Sequence, residues 1–138
     1  MNYYLDSSVV LRKLFSQPRS LKEWEEIEKA FSSRLLVLEC RRSIDRLRTK
    51  NLISSQEAVE RLSRLYELIR HLGILPLTEP VMQKAEQALP TPLASLDSIH
   101  LSTAILWREK HGSDFLFATH DEELALAARS YGFKVMGV

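Results

Sequence analysis

Asp6, Glu39, Asp97 and Asp121 are the residues of this chain whose type and placement could do chemistry. Each stands where a short apolar run gives out or a helical pattern begins, although long stretches of sequence separate them. Carboxylates that converge at one edge of a sheet repel one another, and a divalent cation makes such crowding tolerable. Taken singly, Asp6 and Asp121 read as helix caps and Asp97 as a first-turn acid. Glu39 is different: it directly follows Val37 and Leu38 in a segment that looks buried. A carboxylate there needs a partner.

The elements that must position these acids alternate along the chain. Residues 3–5 form a short strand ending at Asp6, and Ser7 or Ser8 caps a helix reaching Leu14 and Phe15. Leu21, Trp24, Ile27 and Phe31 repeat at helical spacing, which predicts a helix over 20–31. A second strand is expected over 34–38, and a helix from about Glu39 to Leu52. Ser54 with Glu57 has the form of a capping box and starts a helix that stops by Gly73. A third strand over 74–77 leads to a helix opened by Glu79 and Pro80, running through Leu89 and ended by Pro90 and Pro92. A long helix over 95–110 with Gly112 as its stop, a strand over 115–118, a helix over 122–131 ended by Gly132, and a strand over 133–136 complete the pattern.

Five short strands separated by helices imply an α/β fold, a parallel sheet of about five strands with helices on both faces. Sites on such sheets lie beyond the carboxyl ends of the strands. Asp6, Glu39 and Asp121 follow strands one, two and four in this reading and share that end. Asp97 enters from the first turn of its helix.

With 138 residues, 45% of them hydrophobic and 27% charged, the chain fits one domain, 1–138, with a real core. Its apolar runs are too short for a membrane span, and the N-terminal string from Met1 to Asp6 lacks the pattern of an export signal. A cytoplasmic protein without membrane contact is the expectation. The single cysteine, Cys40, reads as a buried small hydrophobe. Net charge is +1, so composition alone does not announce a nucleic-acid partner, but residues 41–50 carry five basic side chains against one acid, directly after Glu39.

The strings Tyr4-Leu5-Asp6-Ser7-Ser8, Leu38-Glu39, Leu96-Asp97-Ser98-Ile99-His100-Leu101-Ser102-Thr103-Ala104 and Thr119-His120-Asp121 resemble the four signature regions of PIN-domain nucleases, particularly VapC-type toxins of toxin–antitoxin pairs. The segment around Asp97 is the most specific of them. The resemblance implies a single PIN domain, an α/β/α sandwich with strand one between strands two and four. It implies that Asp6, Glu39, Asp97 and Asp121 hold Mg²⁺ or Mn²⁺ directly or through water, with Asp6, Asp97 and Asp121 as metal ligands and Glu39 as a water-mediated ligand or orienting base. Ser8 and Thr119 match the small hydroxyl positions that support them. The activity implied is endoribonucleolytic hydrolysis of RNA by an activated water, leaving a 5′-phosphate and a 3′-hydroxyl. An antitoxin and a second copy of the chain are the implied protein partners, docking on the helices over 20–31 and 54–71 if these protrude as a pair bearing Trp24, Tyr66 and Leu68.

Arg42 and Arg46 lie three and seven residues beyond Glu39, on one helix face, and could reach an RNA backbone; pairing with acids on a solvated face is the plainer reading. Arg12 and Lys13 are weaker candidates of the same kind. His100 reads as a core histidine that orients a neighbour rather than a metal ligand, and His120 as solvent-exposed. Two other functions compete: a PIN-like binding module without catalysis, and a phosphotransfer domain with Asp6 as nucleophile. The first is disfavoured because all four acids are present. The second lacks an Asp two residues beyond Asp6, where Ser8 stands.

Overall fold

The computed structural model describes residues 2–138; Met1, part of the N-terminal string considered above, lies outside them. The order is β1 (Asn2–Leu5), α1 (Ser7–Leu14), a 3-10 turn (Lys22–Glu26), β2 (Lys29–Ser33), α2 (Arg34–Thr49), α3 (Ser55–Arg70), β3 (Leu72–Leu75), α4 (Glu79–Ala85), α5 (Ser95–His111), β4 (Phe115–Ala118), α6 (Glu122–Ser130) and β5 (Val135–Met136). The strands form one sheet in the order β3-β2-β1-β4-β5, and every pairing is parallel. Strand one therefore lies between strands two and four, at the centre.

Successive side chains of a strand point to opposite faces, and β1 divides its residues accordingly. Tyr3 and Leu5 enter a core with Val9, Val10, Leu36, Cys40, Ile44 and Leu65, so α1, α2 and α3 cover that face. Tyr4 enters the opposite core with Phe31, Leu101, Ile105, Phe117 and Leu124, under α5 and α6. Stacked and edge-on rings join Tyr4 to Phe117 at 5.0 Å and to Phe31 at 5.4 Å. Val81 of α4 closes a smaller cluster with Leu35 and Ile99.

The largest departure from the sequence reading lies between residues 20 and 38. No α-helix forms over 20–31; its middle is the 3-10 turn and its end is β2. Leu21, Trp24 and Ile27 pack on one core while Phe31 turns into the other, so their helical spacing arises without a helix. Residues 34–38 are helical rather than extended, because Ser33 Oγ accepts the Leu35 N–H at 3.1 Å and caps α2 there. Strand two is Lys29–Ser33, and its polar end is buried: Ser32 donates to the Leu5 carbonyl at 2.6 Å. The third strand begins two residues earlier than expected, the helix after Thr78 ends at Ala85, and β5 is shorter than 133–136.

The expected helix pair over 20–31 and 54–71 is accordingly replaced by α2 against α3. Trp24 and Leu68 pack on the core, while Leu38, Val59 and Tyr66 remain exposed at 53%, 62% and 41%. The expected cap of α1 by Ser7 or Ser8 is replaced by Asp6, whose carboxylate accepts the Ser8 N–H while both serines lie inside the helix. Ser54 and Glu57 form the capping box of α3, Thr78 caps α4, and Gly112 ends α5 with φ of 86°. Cys40 is free and fully buried, and burial pushes its thiol well up from its ordinary range. Among the described residues no helix is long and apolar enough to cross a membrane.

Candidate acidic site

Asp6 is the first residue beyond β1. Its N–H extends the ladder by donating to the Ala118 carbonyl at 3.0 Å, and its side chain caps α1 by accepting from the Ser8 N–H. The carboxylate is nearly sealed from solvent. Oδ2 accepts from Ser8 Oγ at 2.6 Å, Thr119 Oγ1 at 2.9 Å and the Ser8 N–H at 3.3 Å. Oδ1 has only distant neighbours, Ser7 Oγ and His100 Nε2, each at 3.5 Å. One oxygen is anchored at short range and the other is only loosely held.

Thr119, wholly buried at the end of β4, links two acids: it donates to Asp6 and its Oγ1 accepts the Asp121 N–H at 3.0 Å. Ser8 Oγ likewise joins Asp6 to the backbone N–H of His120, at 2.9 Å. The two supporting hydroxyls therefore tie the turn after β1 to the turn after β4. Asp121 caps α6 with Oδ1, which accepts the Leu124 N–H at 2.8 Å.

Glu39 does not follow a strand. It occupies the second turn of α2, and reaches the same end of the sheet because that helix starts there. Its partner is His100: Nε2 lies 2.6 Å from Glu39 Oε1, while Nδ1 lies 2.8 Å from the Tyr4 hydroxyl. Burial pulls the imidazole down, but the bond to Glu39 and the charges of Asp6, Glu39 and Asp97 outweigh it and raise its pKa. Both ring nitrogens are thus satisfied by protein, as a core histidine requires.

Asp97, in the first turn of α5, makes no side-chain hydrogen bond or ion pair among the described residues. Its pKa is raised from 3.8 to about 6, first by desolvation and then by the negative charges of Asp6 and Asp121, with Glu39 adding and His100 opposing. All four acids are thus close enough to act on one group. As the side chains stand, no three His, Cys, Asp or Glu groups among the described residues could together hold an ion. Magnesium asks for less, since it commonly takes one or two carboxylates and fills its shell with water and phosphate oxygens. An all-oxygen donor set, with Asp6 Oδ1 held only at 3.5 Å and Asp97 without a side-chain partner among the described residues, fits such a hard cation.

His120 is not solvent-exposed. It is partly buried, with Nδ1 2.6 Å from the Gly137 carbonyl, and so belongs to the support of the turn. Arg42 and Arg46 are both exposed; Arg42 pairs with Asp45 at 3.2 Å, and Arg46 makes no ion pair among the described residues. Arg34, Arg41, Arg42 and Arg48 line a cleft of about 710 Å³ floored by Leu35, Leu62 and other apolar side chains. Arg12 donates to the Arg19 carbonyl and Lys13 pairs with Glu25 at 3.5 Å.

The contact that sequence reasoning left unspecified is the chain from Tyr4 through His100 to Glu39. Its signal was a histidine one helical turn after Asp97, combined with a tyrosine two residues before Asp6.

Comparison with known proteins adds independent findings. The family model described as PIN domain matches residues 3–130. Ribonuclease VapC47 of Mycobacterium tuberculosis (strain CDC 1551 / Oshkosh) is 29% identical over 132 residues, covering 94% of this chain and 92% of that protein. Among solved structures, FitAcB from Neisseria gonorrhoeae superposes with a TM-score of 0.72 at 21% identity, covering 99% of this chain and 96% of that one. VapBC2 from Rickettsia felis, bound to a DNA fragment from their promoter, superposes with a TM-score of 0.67 at 13% identity, covering 99% and 98%.

Proposed function

This chain belongs to the PIN-domain family, and on that premise we propose that it is a VapC-type toxin: a Mg²⁺- or Mn²⁺-dependent endoribonuclease held in check by an antitoxin protein. The observation that carries the reading is the convergence of the acids at one end of the sheet: Ser8 and Thr119 hold Asp6, Thr119 also accepts the Asp121 N–H, and Asp97 lies within electrostatic reach of Asp6, Asp121 and Glu39. Similarity to a protein named a ribonuclease supports the choice of substrate.

In this reading Asp6 and Asp97 would be the principal ligands, and Asp121 would reach the same ion through water or hold a second one, since among the described residues no three of these groups are placed to hold one ion together. A bound divalent cation lowers the pKa of water and neutralises charge on the phosphate. Glu39 orients the attacking water and accepts its proton. Ser8 and Thr119 keep Asp6 Oδ2 occupied, which fixes the carboxylate plane. The water oxygen would form a bond to phosphorus as the bond to the 3′ oxygen breaks, and the departing oxygen would take a proton from solvent, giving a 5′-phosphate and a 3′-hydroxyl. Arg42 and Arg46, on the exposed face of α2 beyond Glu39, contact the RNA backbone. The exposed Leu38, Val59 and Tyr66 supply apolar surface for the antitoxin and for a second copy.

The test is cleavage of structured and single-stranded RNA with Mg²⁺, Mn²⁺ or EDTA, alongside Asp6→Asn and Asp97→Asn. Cleavage is expected only with metal and only in the unsubstituted protein. Cleavage that persisted in EDTA, or survived both substitutions, would sink the mechanism.

A further inference from the structure

We propose that His100 is a positioning residue, braced from behind by Tyr4, whose task is to hold the Glu39 carboxylate in the acidic site; the inference rests on the reading of Glu39 as a working group of that site. The geometry is a three-residue chain across the core. Tyr4 comes from the central strand, His100 from α5 and Glu39 from α2, with contacts of 2.8 Å and 2.6 Å.

The direction of this chain follows from donor and acceptor chemistry. An ionised Glu39 only accepts, so His100 Nε2 must carry the proton between them. Nδ1 then faces the Tyr4 hydroxyl, which donates to a neutral ring or accepts from a charged one. Either way Nε2–H points at Glu39, so the placement does not depend on how the ring titrates. His100 and Tyr4 are both wholly buried, so the ring is held between protein groups and not by solvent.

The contact is also selective. His100 Nε2 is 2.6 Å from Glu39 but 3.5 Å from Asp6 Oδ1, beyond a useful hydrogen bond. With Oε1 fixed by a short charge-assisted bond, Oε2 is the oxygen left to meet water. Glu39 needs this more than its companions do. Asp6 and Asp121 are short side chains pinned by caps and hydroxyls, whereas Glu39 carries an extra rotatable bond and 20% of its side chain meets solvent.

Placement of the two braces is economical in sequence. Tyr4 and Asp6 alternate onto the same face of one extended stretch. Asp97 and His100 are one helical turn apart on α5. The same two elements thus carry two ligands of the proposed site and the two braces for a third acid. A filler role alone would be met by an apolar side chain, like the neighbouring Leu101 and Ala104 in that core.

The test uses the full chain with His100→Gln, which keeps an N–H donor, His100→Leu, which does not, and the near-isosteric Tyr4→Phe, each also combined with Glu39→Gln. His100→Leu is expected to lower kcat by ~10- to 100-fold, the range for outer partners of metal-site groups, with KM for RNA unchanged and partial recovery in His100→Gln. Added to Glu39→Gln, it should cost nothing further. Equal losses with and without Glu39, or no loss at all, would overturn the proposal. A readout independent of activity is the imidazole Nε2–H resonance of ¹⁵N-histidine-labelled protein, expected to exchange slowly in the parent and to be lost in Glu39→Ala. If the parent protein cleaves no RNA with either metal but this resonance behaves as stated, the nuclease reading fails while the contact stands. If the resonance is absent or indifferent to Glu39→Ala, the positioning role fails by itself.

Discussion

Replacing Asp97 by Asn should stabilise the metal-free protein, and only at pH values where Asp97 would be charged. A carboxyl raised from 3.8 to about 6 has its charged form destabilised in the fold by about 3 kcal/mol. Asp97 is partly exposed, so solvent screening reduces this, and its helix N-terminal position favours a charge that Asn lacks; a net gain of about 1–2 kcal/mol is the working figure. The sign follows from proton binding. Between about pH 4 and 6 the folded chain keeps a proton that the unfolded chain has released, so stability falls as pH rises across that window, and the full deficit persists above it. Asn has no such deficit. Thermal melts of both proteins in EDTA should therefore agree near pH 4 and separate by about 3–8 °C at pH 7. Millimolar Mg²⁺ or Mn²⁺ should raise the parent's Tm and narrow the gap. An Asn variant that melted at or below the parent at pH 7, or whose gain did not fade in acid, would refute the claim that the other acids crowd this one.

Three other outcomes are expected. Thr119→Val removes a donor to Asp6 and leaves the half-buried Asp121 N–H without its acceptor, so denaturant unfolding should show a loss of about 1–3 kcal/mol, and cleavage should fall further than stability explains. Gly137 has φ of 100°, and a Cβ there would overlap the Thr119 carbonyl oxygen; Gly137→Ala should cost about 2 kcal/mol or more in thermal unfolding. Arg46→Ala should weaken RNA binding and lower the salt dependence by about one phosphate contact, whereas Arg42→Ala should do less because Asp45 already holds that guanidinium; filter binding across a salt series separates the two.

The legible parts of this fold are those where pattern and capping chemistry agree. The α3 capping box, the start of α4 at Glu79 and Pro80, Gly112 and the apolar run of β4 all stand where their residues indicate. What misled was an inversion of polarity. Strand β2 ends in two fully buried serines, while the apolar run after it, Leu35 to Leu38, is the start of a helix. Ser32 satisfies the Leu5 carbonyl and Ser33 caps α2, so each serine acts through a tertiary or capping bond that hydrophobic periodicity does not register. Glu39 was consequently assigned to a strand end it does not occupy, yet to the correct end of the sheet, because a helix that starts at a strand's carboxyl end puts its early turns there too. Asp6 and Asp121 needed no such fortune, since strand ends and caps located both. His100 could be read as an orienting residue, but its target and its brace lie on elements far away in sequence, visible only once α2, α5 and β1 are packed.

The pairing of β1 with β4 joins Asn2 to Phe115, and with it the first acid to the last. During synthesis β1 must therefore wait, unmatched on one edge, until β4 has been made. Parallel pairings over such separations close slowly because so much chain must be ordered before any contact rewards it. Nothing resembling the complete acidic cluster can exist on a partly made chain: Asp6 lacks its Thr119 donor, and Asp97 lacks its neighbour Asp121. For a protein proposed to destroy RNA, this places the onset of activity late in folding.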